Sequence, residues 1–426
     1  MTQRWTVDRV MALAPDSSSQ VAGRKLATPT PWSDVGWSDP LLWGACRGSG
    51  KTPYSVAIDV SGPSYKCSCP SRKFPCKHVL GLLFLWAEER IDEGGSMSDF
   101  AAEWSAKRQQ RQQTATAAPK ERTEAQVKAA AARAAERDER VRTGMAELDR
   151  WLTDQVSNGL ASLRPSHLEQ LAARMVDAQA PGVATRLREL ARVPQGTRWL
   201  DTVVEELGLL HLLVAATGRT DGVSDTLQAT VRMHLGYQTP KETVLAEPAV
   251  TDRWVVAGLR DSEEEQVSMR RVWLWGEQTQ QPAQVLFFTP YGGTVDTSLV
   301  PGSAIDAELH YYPTQPRLRA LVGAQTDFHA SATWQRGGGT VAEAVRTWRA
   351  VLAEDPWLSE YPVVIAGSAG RDRLVDEAGD AVPLLGSSIP TVLATTGGHP
   401  ATLLGEISRD GLLPTAVVLD HQVVPL

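Results

Sequence analysis

The chain has 426 residues, a formal net charge of −7 and only four cysteines. At about 100–200 residues per domain this length predicts about three domains, and the acidic balance removes any global electrostatic pull toward nucleic acid. Three of the cysteines fall in one short motif, which points to a reducing compartment rather than a disulfide framework. The opening MTQRWTVDRVMALAPDSSSQ lacks a basic patch followed by a long apolar run, so no signal peptide is expected there. The longest apolar run, Val79–Ala87, is far below the ~20 residues of a membrane span. The expectation is a soluble, cytoplasmic protein.

Two short helices are predicted first, Thr6–Leu13 and Ser17–Ala27, the second starting on a Ser/Asp cluster suited to N-capping. A Trp- and Pro-rich loop follows, and Trp32, Trp37 and Trp43 are expected to cover a small core. Residues 45–52, ACRGSGKT, imitate a phosphate loop, but alanine stands at 45 where that pattern wants glycine. The pattern must also open a helix, whereas Pro53 and the alternating YSVAIDV follow. We therefore read a hairpin turn, with one strand ending near Cys46, the next at Tyr54–Val60, and Ser61-Gly62-Pro63 turning into Tyr65–Cys69. Cys46 is the spare thiol, read as a small packed residue.

The stretch YKCSCPSRKFPCKHVLGLLFLW, Tyr65–Trp86, carries the one explicit chemistry. Cys67 and Cys69 are two apart, so a strand presents both on one face; Pro70 and Pro75 bracket a loop; Cys76 and His78 fall where the sequence becomes helix-compatible. Two ligand pairs with one-residue spacers read as a tetrahedral zinc site, and four protein ligands with no open position make the ion structural. The alternative is buried thiols or a disulfide, but a Cys-x-Cys disulfide is strained and leaves a third thiol over. Lys66, Arg72, Lys73 and Lys77, with no acid between Ser64 and Trp86, either contact phosphate or stabilise the roughly −1 charge of a Zn–Cys3His centre. Phe74, at the loop tip, is a candidate for partner contact or for packing on the ligand cage.

Cys-x-Cys-x6-Cys-x-His with a helix starting at the second pair resembles the SWIM zinc finger, and GPSYKCSCPSRKFPCKHVLGLLFLW resembles the bacterial SWIM-finger proteins, over roughly residues 20–95. By position Cys67, Cys69, Cys76 and His78 match that family's four ligands. The resemblance implies zinc binding and an interaction role toward protein or DNA. It also implies a tie to AAA+ ATPases and von Willebrand A-type proteins, beside which bacterial members are often encoded.

The helix expected at His78–Asp92 is apolar almost all round, hence buried on several sides. Residues 101–143 lack an apolar face, and a solvated spacer helix is predicted, with Glu124–Lys128 and Glu136–Arg140 pairs. From Met145 to about Gly236 helical spacing returns, with Ser166 and Glu169 as a capping box and further helices at Val183–Ala191, Trp199–Ala215 and Asp225–Leu235. His167, His211 and His234 there lack a second ligand type nearby. Strands are predicted at Trp254–Leu259, Val267–Trp275, Ala283–Phe288, Ile305–Tyr311 and Arg317–Val322, with an acidic tip at Asp261–Glu265. A helix at Val341–Ala353 follows, capped by Thr340 and Glu343 and entered through a flexible Gly337–Gly339 loop. The last strands are expected at Pro362–Ala366, Arg373–Asp376, Ala381–Leu385, Thr391–Ala394 and Ala416–Val424. VVLD, ending at Asp420, imitates a Walker B strand, and His399 has no paired nucleophile or carboxylate.

The predicted architecture is a multi-domain α+β protein. Residues 1–98 form an N-terminal domain with a small zinc-stabilised ββα finger (about 54–92), residues 99–143 a spacer, 144–240 a helical domain, and 250–426 a mainly antiparallel-sheet α+β domain. The expected function is a zinc-binding interaction protein with protein partners, not an enzyme, with no membrane and no small-molecule substrate. The alternative is a DNA-binding protein using its basic loop on phosphates.

Overall fold

A computed structural model describes residues 4–14, 17–48, 50, 52–60, 64–71, 75–116, 123–196, 199–219, 222–264, 267–290, 298–329 and 331–426. The chain is a mixed α+β protein of three parts. The first contains α1 (Val7–Ala12), α2 (Ser17–Leu26), strands β1 (Trp32–Ser38), β2 (Leu41–Cys46), β3 (Tyr54–Asp59) and β4 (Ser64–Cys67), then α3 (Lys77–Ala87) and α4 (Asp99–Thr116). The four strands pair in chain order, all antiparallel, so the expected ββα finger is the far edge of a larger sheet. Helix α3 stops at Ala87, five residues short of expectation, and every residue from His78 to Trp86 is buried. It is buried all round because the sheet covers one side and α1 and α2 the other. Gly23 and Gly81 let α2 and α3 cross closely, since a Cβ on Gly81 would stand 2.7 Å from that of Leu26. Trp86 is flanked edge-on by Trp5 and Trp37, and the Arg4 guanidinium donates to its carbonyl at 2.8 Å. Buried Trp32 and half-buried Trp37 cover the finger's core as expected, whereas Trp43 does not: it is buried on the sheet's other face with Ala101 of α4.

The second part is helical: α5 (Glu124–Asn158), a 3-10 turn, α6 (Pro165–Asp177), α7 (Pro181–Arg192), α8 (Trp199–Thr217) and α9 (Asp225–Leu235). The division expected at 143/144 falls inside α5, which is one continuous 35-residue helix. Its N-terminal stretch is solvated like a spacer, but from Val141 its residues enter the bundle core with Leu148, Leu171, Leu187 and Leu210. Just before that, Arg137 donates to the carbonyl of Gly236 at 3.1 Å and Tyr237 donates to Asp138 at 2.7 Å. The capping box expected at Ser166 is not formed: Pro165 takes the first helical position and Arg164 the cap, placing Ser166 inside the first turn.

After α10 (Lys241–Leu245) come two antiparallel sheets where one was expected. The first has order β7-β6-β5-β8-β9, from β5 (Ala249–Glu264), β6 (Val267–Gly276), β7 (Pro282–Pro290), β8 (Ala304–Tyr311) and β9 (Ala320–His329). The acidic tip expected at Asp261–Glu265 is largely strand, because β5 and β6 pair out to Glu264 and Val267; Glu265 lies outside the described residues. Helix α11 (Val341–Glu354), with the Thr340/Glu343 capping box formed, leads to β10 (Tyr361–Ala369), β11 (Arg373–Val375), β12 (Ala381–Pro383), α12 (Ile389–Thr396), β13 (Ala401–Ser408), β14 (Gly411–Leu419) and β15 (Gln422–Pro425). The strand expected at Thr391–Ala394 is the helix α12, started by Pro390 and ended by left-handed Gly397. The single run expected over 416–424 is a hairpin that turns at Asp420 and His421, both at positive φ. Between the sheets Glu406, 1% exposed, takes the indole N–H of Trp273 at 2.6 Å and an ion pair from Arg260 at 2.6 Å.

The helical part and the sheets are joined. Trp357 belongs to the bundle core and donates its indole N–H to Leu209 O at 2.8 Å, while His234 holds Asp355 at 2.9 Å with Asp355 1% exposed. His234 is therefore a connector between parts.

Candidate metal centre

Four donors converge where β4 runs out and α3 begins. Cys67 is the last residue of β4, in register with Val56; the chain then peels away, held by Ser68 N–H to Ser55 O at 3.0 Å and Ser55 N–H to Ser68 Oγ at 2.9 Å. Cys69 sits just beyond, Cys76 is the N-cap of α3, and His78 is in its first turn. The donor atoms of Cys67, Cys69, Cys76 and His78 all lie within 4.8 Å of one another. His78 Nδ1 is 3.9 Å from both Cys67 Sγ and Cys76 Sγ. With Zn–S about 2.3 Å and Zn–N about 2.0–2.1 Å, a regular tetrahedron has edges of roughly 3.5–3.8 Å, so these separations fit an ion at the centre. Three sulfurs and one imidazole are a structural zinc donor set, and all four positions come from protein. None of the four cysteines is bridged, and the convergence of a histidine with three of them suits a metal rather than the disulfide alternative. The cluster fits a single structural zinc ion.

The electrostatics favour thiolate at one sulfur and resist it at the others. Cys76 is held down to about 4, first by hydrogen bonding from the Cys67 thiol, then from His78 and the Val79 amide at the start of α3. Cys67 is pushed up because it donates that bond to Cys76 and is buried; Cys69 is pushed up by burial. Backbone amides oppose these rises, Cys69 N–H at Cys67 and Ser71 N–H at Cys69. A divalent cation is the group that lets all three ionise together.

Tyr54 is a part of the site that sequence reasoning left as the mere start of a strand. Its ring lies 4.8 Å from the His78 imidazole, tilted by 37°, against one face of that ligand. The available signal was the hairpin register, which sets Tyr54 opposite Cys46 on the strand beside β4. Of the proposed contact residues, Lys66 is exposed with its ammonium 5.0 Å from the Phe100 ring centroid of α4, and Lys77 is exposed at the start of α3. Arg72, Lys73 and Phe74 lie outside the described residues.

Cys46 is buried, lies outside the group of four, and is pushed up to about 11 by that burial. Among the described residues of 45–52 none opens a helix: β2 ends at Cys46 and β3 follows from Tyr54, while Ser49 and Lys51 lie outside the described residues. The Gly337–Gly339 segment is not a free loop, because Gly339 bonds both ways with β10, donating to Val364 O and accepting from Ala366 N at 2.9 Å each. A Cβ at Gly338 would meet Ala366 N at 2.4 Å, so close backbone approach demands the glycine. The start of α11 already has its anion, since Val341 N–H donates to Asp376 at 2.8 Å. His399 and His167 are exposed. Asp306, Asp327 and His329 also cluster, but Arg253 bonds both oxygens of Asp306 (2.9 and 3.3 Å) and His329 bonds one at 2.9 Å, a satisfied charge network on β8 and β9.

Two family models match this chain: the SWIM zinc finger over residues 56–86, and the SWIM-associated four-helix bundle domain over residues 136–235. The first spans β3 through α3 with all four donors, and the second begins in α5 just before its residues become buried and ends with α9. No curated protein and no solved structure matches the chain. With both matches in chain order and the ligand set complete, the chain carries a SWIM zinc finger followed by a SWIM-associated four-helix bundle domain.

Proposed function

We propose that this chain is a non-catalytic interaction protein whose zinc finger is a rigid docking module for protein partners in a cytoplasmic assembly. The observation that carries the reading is the closed donor set: all four positions around the ion are protein side chains, two of them buried, leaving no place for a substrate. The ion's work is then to hold a surface in shape. An AAA+ ATPase with a von Willebrand A-type protein is the partner system that the family resemblance suggests. The helical and sheet parts would supply further binding surface.

The test is affinity capture with the wild-type chain and with Cys76→Ser, followed by binding measurements on the purified partner. Partners retained by the wild type and lost by the finger variant support the reading; equal capture by both sinks it. Duplex DNA titrated at rising salt runs alongside. Tight binding at physiological salt would replace the reading with phosphate contact by Lys66, Arg72, Lys73 and Lys77.

A further inference from the structure

The five-stranded sheet β7-β6-β5-β8-β9 curls until its two edges touch. Its central strand β5 is long and changes partner: Ala249–Val255 pairs with β8 and Trp254–Glu264 with β6, with a bulge between Val256 and Gly258. The edge strands β7 and β9 meet in parallel at Gln284 and Arg319, and Gln284 N–H donates to Leu318 O at 2.7 Å. That is the one bridge between them among the described residues, so the barrel is partly open. Trp254, Val272, Val285, Ile305 and Leu309 fill its inside. Counted along the chain, the first strand pairs with the second and fourth, the second with the third, the fourth with the fifth, and the third closes on the fifth. This is the connectivity of the OB fold, a partly open five-stranded barrel that takes ligands on the outer face of its second and third strands and on the loop between the fourth and fifth.

The second and third strands here are β6 and β7. On β6 the outer face is closed, since Trp273 and Trp275 are buried against the second sheet with Leu404 and Ala416. On β7 it is open. Gln284, Leu286 and Phe288 share the face of Trp273, with which Gln284 is in register, while Ala283, Val285 and Phe287 point into the barrel. Phe288 is 57% exposed. From Gln284 to Phe288 the strand runs about 13 Å. At the Gln284 end lies the β8–β9 loop, where the Arg319 guanidinium stands 4.3 Å from the Tyr312 ring centroid and that of Arg317 4.9 Å from the Tyr311 centroid. Arg253, Arg260, Arg270 and Arg271 of the same barrel each hold a carboxylate, whereas among the described residues neither Arg317 nor Arg319 does. The strip thus has two uncompensated cations at one end and an open ring at the other. Phosphates pair with such arginines, and bases stack on such rings whatever their sequence.

We propose that the open outer face of β7, with the β8–β9 loop, binds a short single strand of nucleic acid, its bases stacking on Phe288 and Tyr312 and its phosphates meeting Arg317 and Arg319. A duplex keeps its bases stacked on one another and cannot use the rings, and a neutral oligosaccharide has no use for two cations. The net charge of −7 confines the contact to this strip. The site is independent of the finger's role.

The experiment is fluorescence anisotropy of a labelled oligothymidylate of about twelve nucleotides, titrated with the zinc-loaded full chain at about 50 and 200 mM salt. Phe288 and Arg317 are exposed, so replacing them opens no buried contact, and circular dichroism checks that each variant stays folded. Two phosphate contacts on a single strand give a salt slope of about −1.4, so affinity is expected to fall about sevenfold between the two salts. Phe288→Ala should weaken binding about tenfold. Arg317→Gln with Arg319→Gln should weaken it and flatten the salt dependence. Absence of binding at the lower salt overturns the proposal, as does an affinity that the barrel variants leave unchanged. Loss of binding on Lys66→Gln with Lys77→Gln instead would put the strand on the finger. Equal binding of duplex DNA or of polyglutamate would also overturn it, by showing a response to negative charge alone.

Discussion

Taking the ion away should loosen the N-terminal part alone, by an amount the geometry allows us to bound. The donors tie residue 67 to residue 78, a span of twelve residues. Treated as a cross-link, closing such a loop is worth about 3 kcal/mol of chain entropy in the unfolded state. Cys76 and His78 are 1% and 4% exposed, and a buried polar group without its partner costs about 1–3 kcal/mol more. The sum, about 4–6 kcal/mol, is a large share of the ~5–15 kcal/mol by which a domain is stable. The buried residues of the finger's core are distinct from those of the helical and sheet cores, and the sheet part touches it through Val300, ahead of β8. Strong chelator, or Cys76→Ser, is therefore expected to lower the melting of the N-terminal part while residues 124–426 melt as before. Near-ultraviolet circular dichroism sees the Trp5–Trp86–Trp37 cluster, and hydrogen exchange resolves 54–87 from the rest. Purified protein without one equivalent of metal, or undiminished exchange protection over 54–87 in chelator, would refute the reasoning.

Three further outcomes can be checked. Gly81→Ala should destabilise the N-terminal part by about 1–3 kcal/mol in denaturant titration, because its Cβ would stand 2.7 Å from that of Leu26; stabilisation by the ~1 kcal/mol of helix propensity would deny the close crossing of α2 and α3. Asp355→Ala should cost about 3–5 kcal/mol by leaving His234 without its partner, and a double-mutant cycle with His234→Ala should show strong coupling; additive effects would contradict the pair. Burial, then its bond to Asp138, pushes Tyr237 up to about 12. Since the folded value lies above the ordinary 10, the stabilisation is complete below pH 10 and lost as pH rises through 12. Tyr237→Phe should accordingly remove an ionisation step near pH 12 in the ultraviolet titration, and loss of a step near 10 instead would deny that environment.

The metal centre was legible because ligand identity and spacing are local properties: Cys67, Cys69, Cys76 and His78 come together through one turn and one helix start. Helix α9 and the Thr340 capping box were legible for the same reason, each set by a few neighbouring residues. What was missed depends on distant partners. Nothing in residues 391–394 alone decides between strand and helix, and Pro390 and Gly397 were the overlooked punctuation. The union of spacer and first bundle helix escaped notice because Ala-rich sequence propagates a helix without an apolar stripe, and burial begins only where α6 and α9 arrive. The glycines at 337–339 read as freedom, whereas they serve close backbone approach to β10.

Helix α5 gives the molecule a ruler. At 1.5 Å and 100° per residue its 35 residues make a rod of about 52 Å, and its solvated stretch transmits both distance and angular phase. Excising seven residues from that stretch would draw the start of α5 about 10 Å toward the bundle yet leave its facing nearly unchanged, whereas excising five would swing it by roughly 140°. Whatever grips both ends at once can thus be sensitive to the number of alanines between them, although none of those alanines touches it.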